Sequence, residues 1–133
     1  MKGILTVLFI LSICTMNGCQ STDIRANYPF LEVKGNTPVT VLFSNDHNIE
    51  NESSYYEALL DFKQTHPEHL ESINVVSSEE TSLVSYYDIH TFPTLLIIDD
   101  VDVLLRIEGL KDSSEIFLEL EASLNLSNEE ETF

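Results

Sequence analysis

One stretch in the second half of the chain constrains the fold more than any other. It runs Tyr87-Asp88-Ile89-His90-Thr91-Phe92-Pro93-Thr94-Leu95-Leu96-Ile97-Ile98, a short polar turn that meets a proline and continues into an unbroken apolar segment. A proline cannot donate a hydrogen bond to a sheet, so Pro93 marks the mouth of a buried strand rather than its interior. The Phe92–Pro93 bond can adopt the cis form, which would present the Phe92 backbone to whatever lies opposite.

The rest of the chain predicts strands alternating with helices. Runs of β-branched and apolar residues favour strands, and the pairs Ser54/Glu57 and Asp112/Glu115 have the spacing of helix capping boxes. The order β-β-α-β-α-β-β-α predicts an α/β fold, with a central mixed sheet of four to five strands and helices on both faces. The expected strands are 28–34 at an edge, 39–44, 72–77, 94–98 and 103–107, and the expected helices are 54–66, 79–87 and 112–124.

From Val39 to about Leu124 the chain resembles the thioredoxin fold. In that family a cis-proline lies beside a Cys-x-x-Cys motif at the start of the helix that follows the central strand. The resemblance therefore implies a cis bond before the proline of this chain. It rests on the pattern Tyr-x-Ile-x-x-x-Pro-Thr-Leu and a later glycine, which are carried by Tyr87, Ile89, Pro93, Thr94, Leu95 and Gly109.

The two redox positions of that family have no cysteine here. Counting forward from Phe43 in the equivalent strand, they fall near Asn48 and Asn51, in the segment Asn48-Ile49-Glu50-Asn51. Thiol–disulfide exchange needs a thiolate nucleophile and a resolving partner, and amides supply neither. We therefore do not expect the family's oxidoreductase activity in this chain.

The hairpin near the end of the domain also departs from the family pattern. The family commonly has an Asn-Gly type pair at this turn, whereas this chain has Asp100-Val101. A β-branched residue at positive φ is costly, so we expect a longer loop or a different turn.

The N-terminal segment has the pattern of an export signal. Lys2 is followed by residues 3–16, a run without charge that is too short to span a bilayer and that suits the apolar region of a secretory signal. Its end, Met16-Asn17-Gly18-Cys19, resembles the bacterial lipobox. In that family of exported proteins the cysteine becomes the new N-terminus and carries the lipid.

These patterns divide the chain into four expected parts. They are a lipoprotein signal peptide at 1–18, a lipid-anchored tether at 19–28, a thioredoxin-like domain at 29–126 and an acidic tail at 127–133. Cleavage before Cys19 would remove the other cysteine, and a diacylglycerol thioether on Cys19 would leave no thiol for redox chemistry or a disulfide. An ordinary signal peptide or an uncleaved anchor remains the alternative.

The charge of the chain limits its partners. Six basic residues against 23 acidic ones give a formal net charge of −17. Nucleic-acid backbones and anionic lipid headgroups should be repelled, so we expect no nucleic-acid partner. Cationic partners or divalent ions fit better, and the alternative is a surface kept soluble by excess carboxylate.

The histidines raise the question of a metal site. His66 and His69 flank Pro67, which breaks the helix that would align them, so we expect both to be solvent-exposed. His47 lies in the loop that replaces the redox motif and His90 lies just before the proline turn, so a metal site with nearby carboxylates is the weaker alternative. The aspartates at 99, 100 and 102 lack the glycine and distal glutamate of an EF-hand loop, and a solvated acidic turn is expected there.

The resemblance to thioredoxin-like proteins implies that the functional surface is the groove between the Asn48 to Asn51 loop and the Phe92–Pro93 turn. An extended peptide can pair with the backbone at such a turn without any cysteine. We expect a membrane-anchored, outward-facing lipoprotein whose redox-inactive domain, without a cofactor or catalytic residues, binds a protein or a cell-envelope component such as peptidoglycan. The alternatives are a metal-binding or metal-carrier protein that uses His47 and His90, and an oxidoreductase that uses an unlipidated Cys19.

Overall fold

The computed structural model describes residues 24–33 and 35–124. Apolar runs form the strands, and the amphipathic segments between them form helices. The helices are α1 Ile24–Asn27, α2 Ser53–Thr65, α3 Thr81–Tyr86 and α4 Ser113–Ser123; the strands are β1 Val39–Ser44, β2 Ile73–Ser77, β3 Thr94–Asp99 and β4 Asp102–Glu108; two short 3₁₀ helices cover Pro29–Leu31 and Ile49–Glu52.

The four strands form one mixed sheet in the order β2-β1-β3-β4. β1 pairs with β2 in parallel, and β3 is antiparallel to both β1 and β4. The two central strands are buried because successive side chains of a strand point to opposite faces and both faces are covered. The predicted α/β fold, a mixed sheet with helices on both faces, is confirmed.

The core consists of one apolar layer on each face of the sheet. On one face, Leu42 and Leu95 pack against Tyr55 and Phe62 of α2 and against Leu120 of α4. On the other face the partners come from α3 and from the N-terminal segment: Leu83, Ile24 and Leu31 pack with Val41, Phe43, Leu96 and Ile98. Adjacent residues of β1, such as Leu42 and Phe43, thus pack in different layers of the core.

The predicted edge strand at 28–34 is wrong, which is why the sheet has four strands. Pro29–Leu31 forms a 3₁₀ helix with the proline in its first turn, a position where the missing N–H costs nothing. Leu31 buries its side chain, which is 1% exposed, without any strand pairing. The weak alternation therefore reflected one anchoring leucine rather than a pleat.

Part of the segment expected as a tether at 19–28 is folded. Ile24–Asn27 forms α1, and Ile24 is buried in the layer beside α3. The Tyr28 hydroxyl donates to a Glu80 carboxylate oxygen at 3.0 Å, which ties this segment to the start of α3. The predicted signal peptide, Cys19 and the acidic tail lie outside the described residues.

The β3–β4 hairpin uses a different turn rather than a longer loop. Asp99 pairs with Asp102, so the connection is only Asp100-Val101. Asp100 takes the positive φ of 57°, a conformation that aspartate tolerates, and Val101 is not among the described residues with positive φ. Asp100 also forms an ion pair with Arg25 of α1. This part of the acidic turn is therefore both solvated and paired.

Among the described residues, no helix is both long and apolar enough to cross a bilayer.

Candidate functional site

The register of the sheet brings the two predicted halves of the groove to one end of it. In β1, Phe43 lies opposite Thr94 of β3, and Ser44 lies beside Ser77 of β2. The loop that leaves β1 at Ser44 and the proline turn that enters β3 at Thr94 are therefore neighbours. This is the arrangement that the sequence predicted for the two segments.

The loop after β1 is compact and presents its side chains outward. The backbone N–H of Asn48 donates to the backbone carbonyl of Asn45 at 2.9 Å, and the backbone N–H of Asn51 donates to the backbone carbonyl of Asn48 at 3.1 Å. Asn48 and Asn51 are both exposed, and Ile49 between them is 55% exposed. The two asparagines thus present their side-chain amides on the surface of the loop.

A buried carboxylate fastens this loop to the end of β1. Glu52 is only 1% exposed. Its Oε2 accepts a hydrogen bond from the Ser44 hydroxyl at 2.6 Å, and its Oε1 accepts one from the backbone N–H of Asn45 at 2.7 Å. Burying a charged group is unfavourable unless it is hydrogen-bonded, and here both oxygens have a partner. Glu52 therefore holds the Asn48–Asn51 segment in one position relative to the sheet.

Sequence reasoning considered Glu52 only as a carboxylate near His47 and missed its structural role, although a signal for that role exists. Glu52, Tyr55, Leu59 and Phe62 follow one another at helical spacing, and all four are buried. A glutamate on an otherwise apolar stripe indicates a carboxylate with internal partners. It also explains why the predicted box at Ser54 is not used: α2 begins at Ser53, and the Glu52 side chain turns back to β1 without capping the helix.

The proline turn is the other half of the predicted groove. The Phe92–Pro93 bond is cis, which confirms the prediction. The Gly109 amide donates to the Pro93 carbonyl at 2.9 Å, and the Thr94 hydroxyl donates to the Thr91 carbonyl at 2.6 Å. Within the described part of the chain, no hydrogen bond involves the Phe92 amide or carbonyl. The Phe92 backbone thus has one donor and one acceptor that no described residue pairs with.

Tyr55 supports the turn from the core side. Its hydroxyl donates to the Gly109 carbonyl, and the amide of the same glycine bonds to Pro93. Burial, with the Glu119 and Glu108 carboxylates nearby, raises the pKa of Tyr55 to about 12, so the phenol remains a donor throughout the physiological range. Tyr55 thereby links α2, which follows the Asn48–Asn51 loop, to the turn at Pro93.

His47 and His90 have separate surroundings. The His47 amide bonds to the Asn45 side chain at 3.1 Å, whereas His90 Nε2 lies 2.7 Å from Asp88 Oδ1. Across residues 24–33 and 35–124, no hydrogen bond or ring contact joins the two histidines, and no group of three or more His, Cys, Asp or Glu side chains is placed to hold a metal ion. The described residues thus lend the metal-binding alternative no specific support.

The expectation that His66 and His69 are solvent-exposed is wrong. Their side chains are only 19% and 30% exposed. The His66 ring lies with its centroid 4.9 Å from that of Phe62, and its Nε2 is 3.1 Å from a Glu121 carboxylate oxygen. His66 follows the end of α2 closely enough to contact Phe117 and Glu121 of α4, which the local proline did not reveal.

Comparison with solved structures defines the class of fold. Thioredoxin f2 of Chlamydomonas reinhardtii matches 76% of this chain and 88% of its own at 21% identity, with a TM-score of 0.53. The N-terminal domain of SasA from Synechococcus elongatus matches 77% of this chain and 94% of its own at 16% identity, also with a TM-score of 0.53. The described residues thus have a thioredoxin-like fold.

Sequence comparison adds one relative of known name. No family model matches the chain. Over 76 residues it is 34% identical to the Pal-related lipoprotein of Bacillus subtilis (strain 168), a match that covers 56% of this chain and 58% of that protein. The chain thus matches somewhat more than half the length of this relative.

Proposed function

We propose that this chain is an outward-facing, lipid-anchored lipoprotein of the bacterial cell envelope. Its thioredoxin-like domain would bind an extended segment of an envelope protein without redox chemistry. The observation that carries the binding role is the Phe92 amide and carbonyl, which no described residue pairs with, beside an exposed loop that presents Asn48 and Asn51. A backbone donor and acceptor in this position suit pairing with an extended peptide. The name of the Bacillus relative supports the lipoprotein part of the proposal.

The position of α1 supports access to the groove in an anchored protein. Arg25 pairs with Asp100, in the hairpin that follows the last residue of β3, whereas the groove lies before its first residue. Six residues of strand place these ends roughly 17 Å apart. The first described residues after Cys19 therefore lie at the hairpin end of β3, away from the proline turn.

The lipid anchor is tested on the protein recovered from a bacterial membrane fraction. We expect mass spectrometry of the mature N-terminus to find a diacylglycerol-modified Cys19 and no residues before it. Cys19→Ser should remove the modification and release the protein from membranes. A free Cys19 thiol on a membrane-bound mature chain would contradict the lipoprotein proposal, whatever the groove binds.

The groove is tested with a photo-crosslinking amino acid placed at Ile49, which is 55% exposed in the loop. We expect a discrete crosslinked partner in envelope preparations, and we expect Phe92→Asp or Asn48→Arg to abolish it. The matched control places the crosslinker at Val101, which is 68% exposed in the turn at the other end of β3. If both groove variants leave the crosslinked species unchanged, the groove is not the binding surface, even if Cys19 is lipidated.

A further inference from the structure

A second groove lies on the outer surface of the helices, away from the proline turn. It runs between α2 and α4 and has a volume of about 690 Å³. Glu57, Leu60, Asp61 and Gln64 line one side. These positions are spaced by three, four and seven residues from Glu57, so they form one continuous stripe along α2. The other side includes Phe117 and Leu118 of α4.

The groove exposes more apolar surface than the fold requires. Leu60 is 58% exposed and Leu118 is 63% exposed, one on each wall, while Ala58 on the floor is buried. Isolated leucines are common on protein surfaces, but two leucines facing one cavity form a patch. Neither contributes to the buried layer beneath, which Leu59, Ile116 and Leu120 already fill.

The charge around the groove indicates what covers it. Glu57 and Asp61 are exposed on the α2 wall. Lys111, near the start of α4, is already paired with Glu119 at 2.8 Å. A second copy of a chain with a net charge of −17 would bring like charges together at this surface. An occupant with an apolar face and flanking positive charges would bury the leucines and pair the carboxylates.

We propose that the α2–α4 groove binds a cationic amphipathic helix of a partner protein. Apolar residues of that helix would contact Leu60, Phe117 and Leu118, and its lysines or arginines would lie against Glu57 and Asp61. A helix in a groove between two helices is a common mode of peptide recognition. This surface shares no residue with the Asn48–Phe92 groove, so the two could be occupied together.

The probe is a fluorescein-labelled synthetic helix of leucine and lysine, about 18 residues or roughly 27 Å long. Its comparison peptide has the same leucines and glutamate in place of each lysine. Binding to the full chain is measured by fluorescence anisotropy at two salt concentrations. We expect the lysine peptide to bind, with weaker binding at high salt, and the glutamate peptide not to bind.

Two pairs of variants locate the binding. Leu60→Ser with Leu118→Ser should weaken binding of the lysine peptide about tenfold or more, since exposed apolar anchors at an interface are worth at least about 1.4 kcal/mol together. The matched control is Val101→Ser with Leu104→Ser, two apolar residues of the β3–β4 hairpin that are 68% and 44% exposed. This control should bind like the wild type, and all of these changes are at exposed positions, so the melting temperature should move little.

A double variant of two carboxylates tests the binding of the lysine peptide separately from the leucines. Glu57→Gln with Asp61→Asn should weaken binding and reduce its salt dependence, whereas Glu32→Gln with Glu79→Gln should not. Equal binding of the glutamate peptide, or equal losses in the groove and control pairs, would overturn the proposal. So would a wild-type dimer in sedimentation that becomes monomeric on Leu60→Ser with Leu118→Ser, because a second copy would then be the occupant.

Discussion

Glu52 gives the sharpest test of how the candidate groove is held together. Replacing Glu52 by alanine removes the acceptor of the Ser44 hydroxyl at 2.6 Å and of the Asn45 amide at 2.7 Å. Each buried or half-buried donor left without a partner costs roughly 1–3 kcal/mol. The cost at Ser44 should lie at the low end of this range, because its hydroxyl can rotate away from the lost acceptor. For the two donors together we expect Glu52→Ala to lower the free energy of unfolding by about 2–4 kcal/mol.

The measurement is urea unfolding followed by far-UV circular dichroism, since the chain contains no tryptophan. For a domain of this size the expected loss lowers the midpoint by roughly 2 M urea. Glu52→Gln should lose only about 1 kcal/mol, because its amide can accept from Asn45 and donate to Ser44. The matched control, Glu50→Ala, changes an exposed glutamate of the same 3₁₀ helix and should stay within about 0.5 kcal/mol of the wild type.

The reasoning is refuted if Glu52→Ala is no more destabilising than Glu50→Ala. In that case the two hydrogen bonds would be replaced by water at no net cost, and Glu52 would not fix the loop. A second readout is crosslinking from Ile49, which Glu52→Ala should weaken even at a temperature where the variant is fully folded, because the loop would no longer be held against the sheet.

Three further predictions concern the proline turn, the N-terminal segment and the histidines. The folded state raises the pKa of Tyr55 to about 12. The stabilisation that comes from its protonated phenol is therefore complete below pH 10 and is lost as the pH rises from 10 to 12. In urea unfolding, the free energy of unfolding of Tyr55→Phe should fall less over that window than that of the wild type. Leu31→Ala should cost about 2–4 kcal/mol because the side chain is 1% exposed, whereas no such cost is expected if residues before β1 are only a linker. Elemental analysis of the purified full chain should find less than stoichiometric zinc or copper, and stoichiometric metal that is lost on His90→Ala would instead support the metal-carrier alternative.

Local sequence patterns predicted the parts of the fold that depend on neighbours along the chain. The apolar run after Pro93 became β3, and the stripe through Tyr55 and Phe62 became α2, because periodicity follows directly from helix and strand geometry. The prediction failed at 28–34, where weak alternation was compatible with either a strand or a 3₁₀ helix. Burial of Leu31 against the sheet decided between them.

The candidate site shows the same division. Spacing and resemblance predicted that the segment from Asn48 to Asn51 lies near Pro93, and the sequence has no cysteine in that segment. The partners of Glu52 could not be predicted, because Ser44 and Asn45 become its neighbours only when β1 and the start of α2 are brought side by side. The α2–α4 groove was also hidden, since Leu60 and Leu118 are far apart in sequence and look like ordinary positions on two amphipathic helices.

The stretch from Tyr87 to Ile98 by itself determined a proline turn that leads into a buried strand. The Asn48 to Asn51 segment contains no cysteine, so the sequence predicts no thiol exchange there. Tertiary structure decided what surrounds that turn. It placed Gly109 on the Pro93 carbonyl and Tyr55 behind Gly109, and it left the Phe92 backbone without a partner among the described residues. The physical reason is that thiol chemistry depends on which atoms a residue has, whereas a free backbone donor depends on which other groups the fold brings within hydrogen-bonding distance.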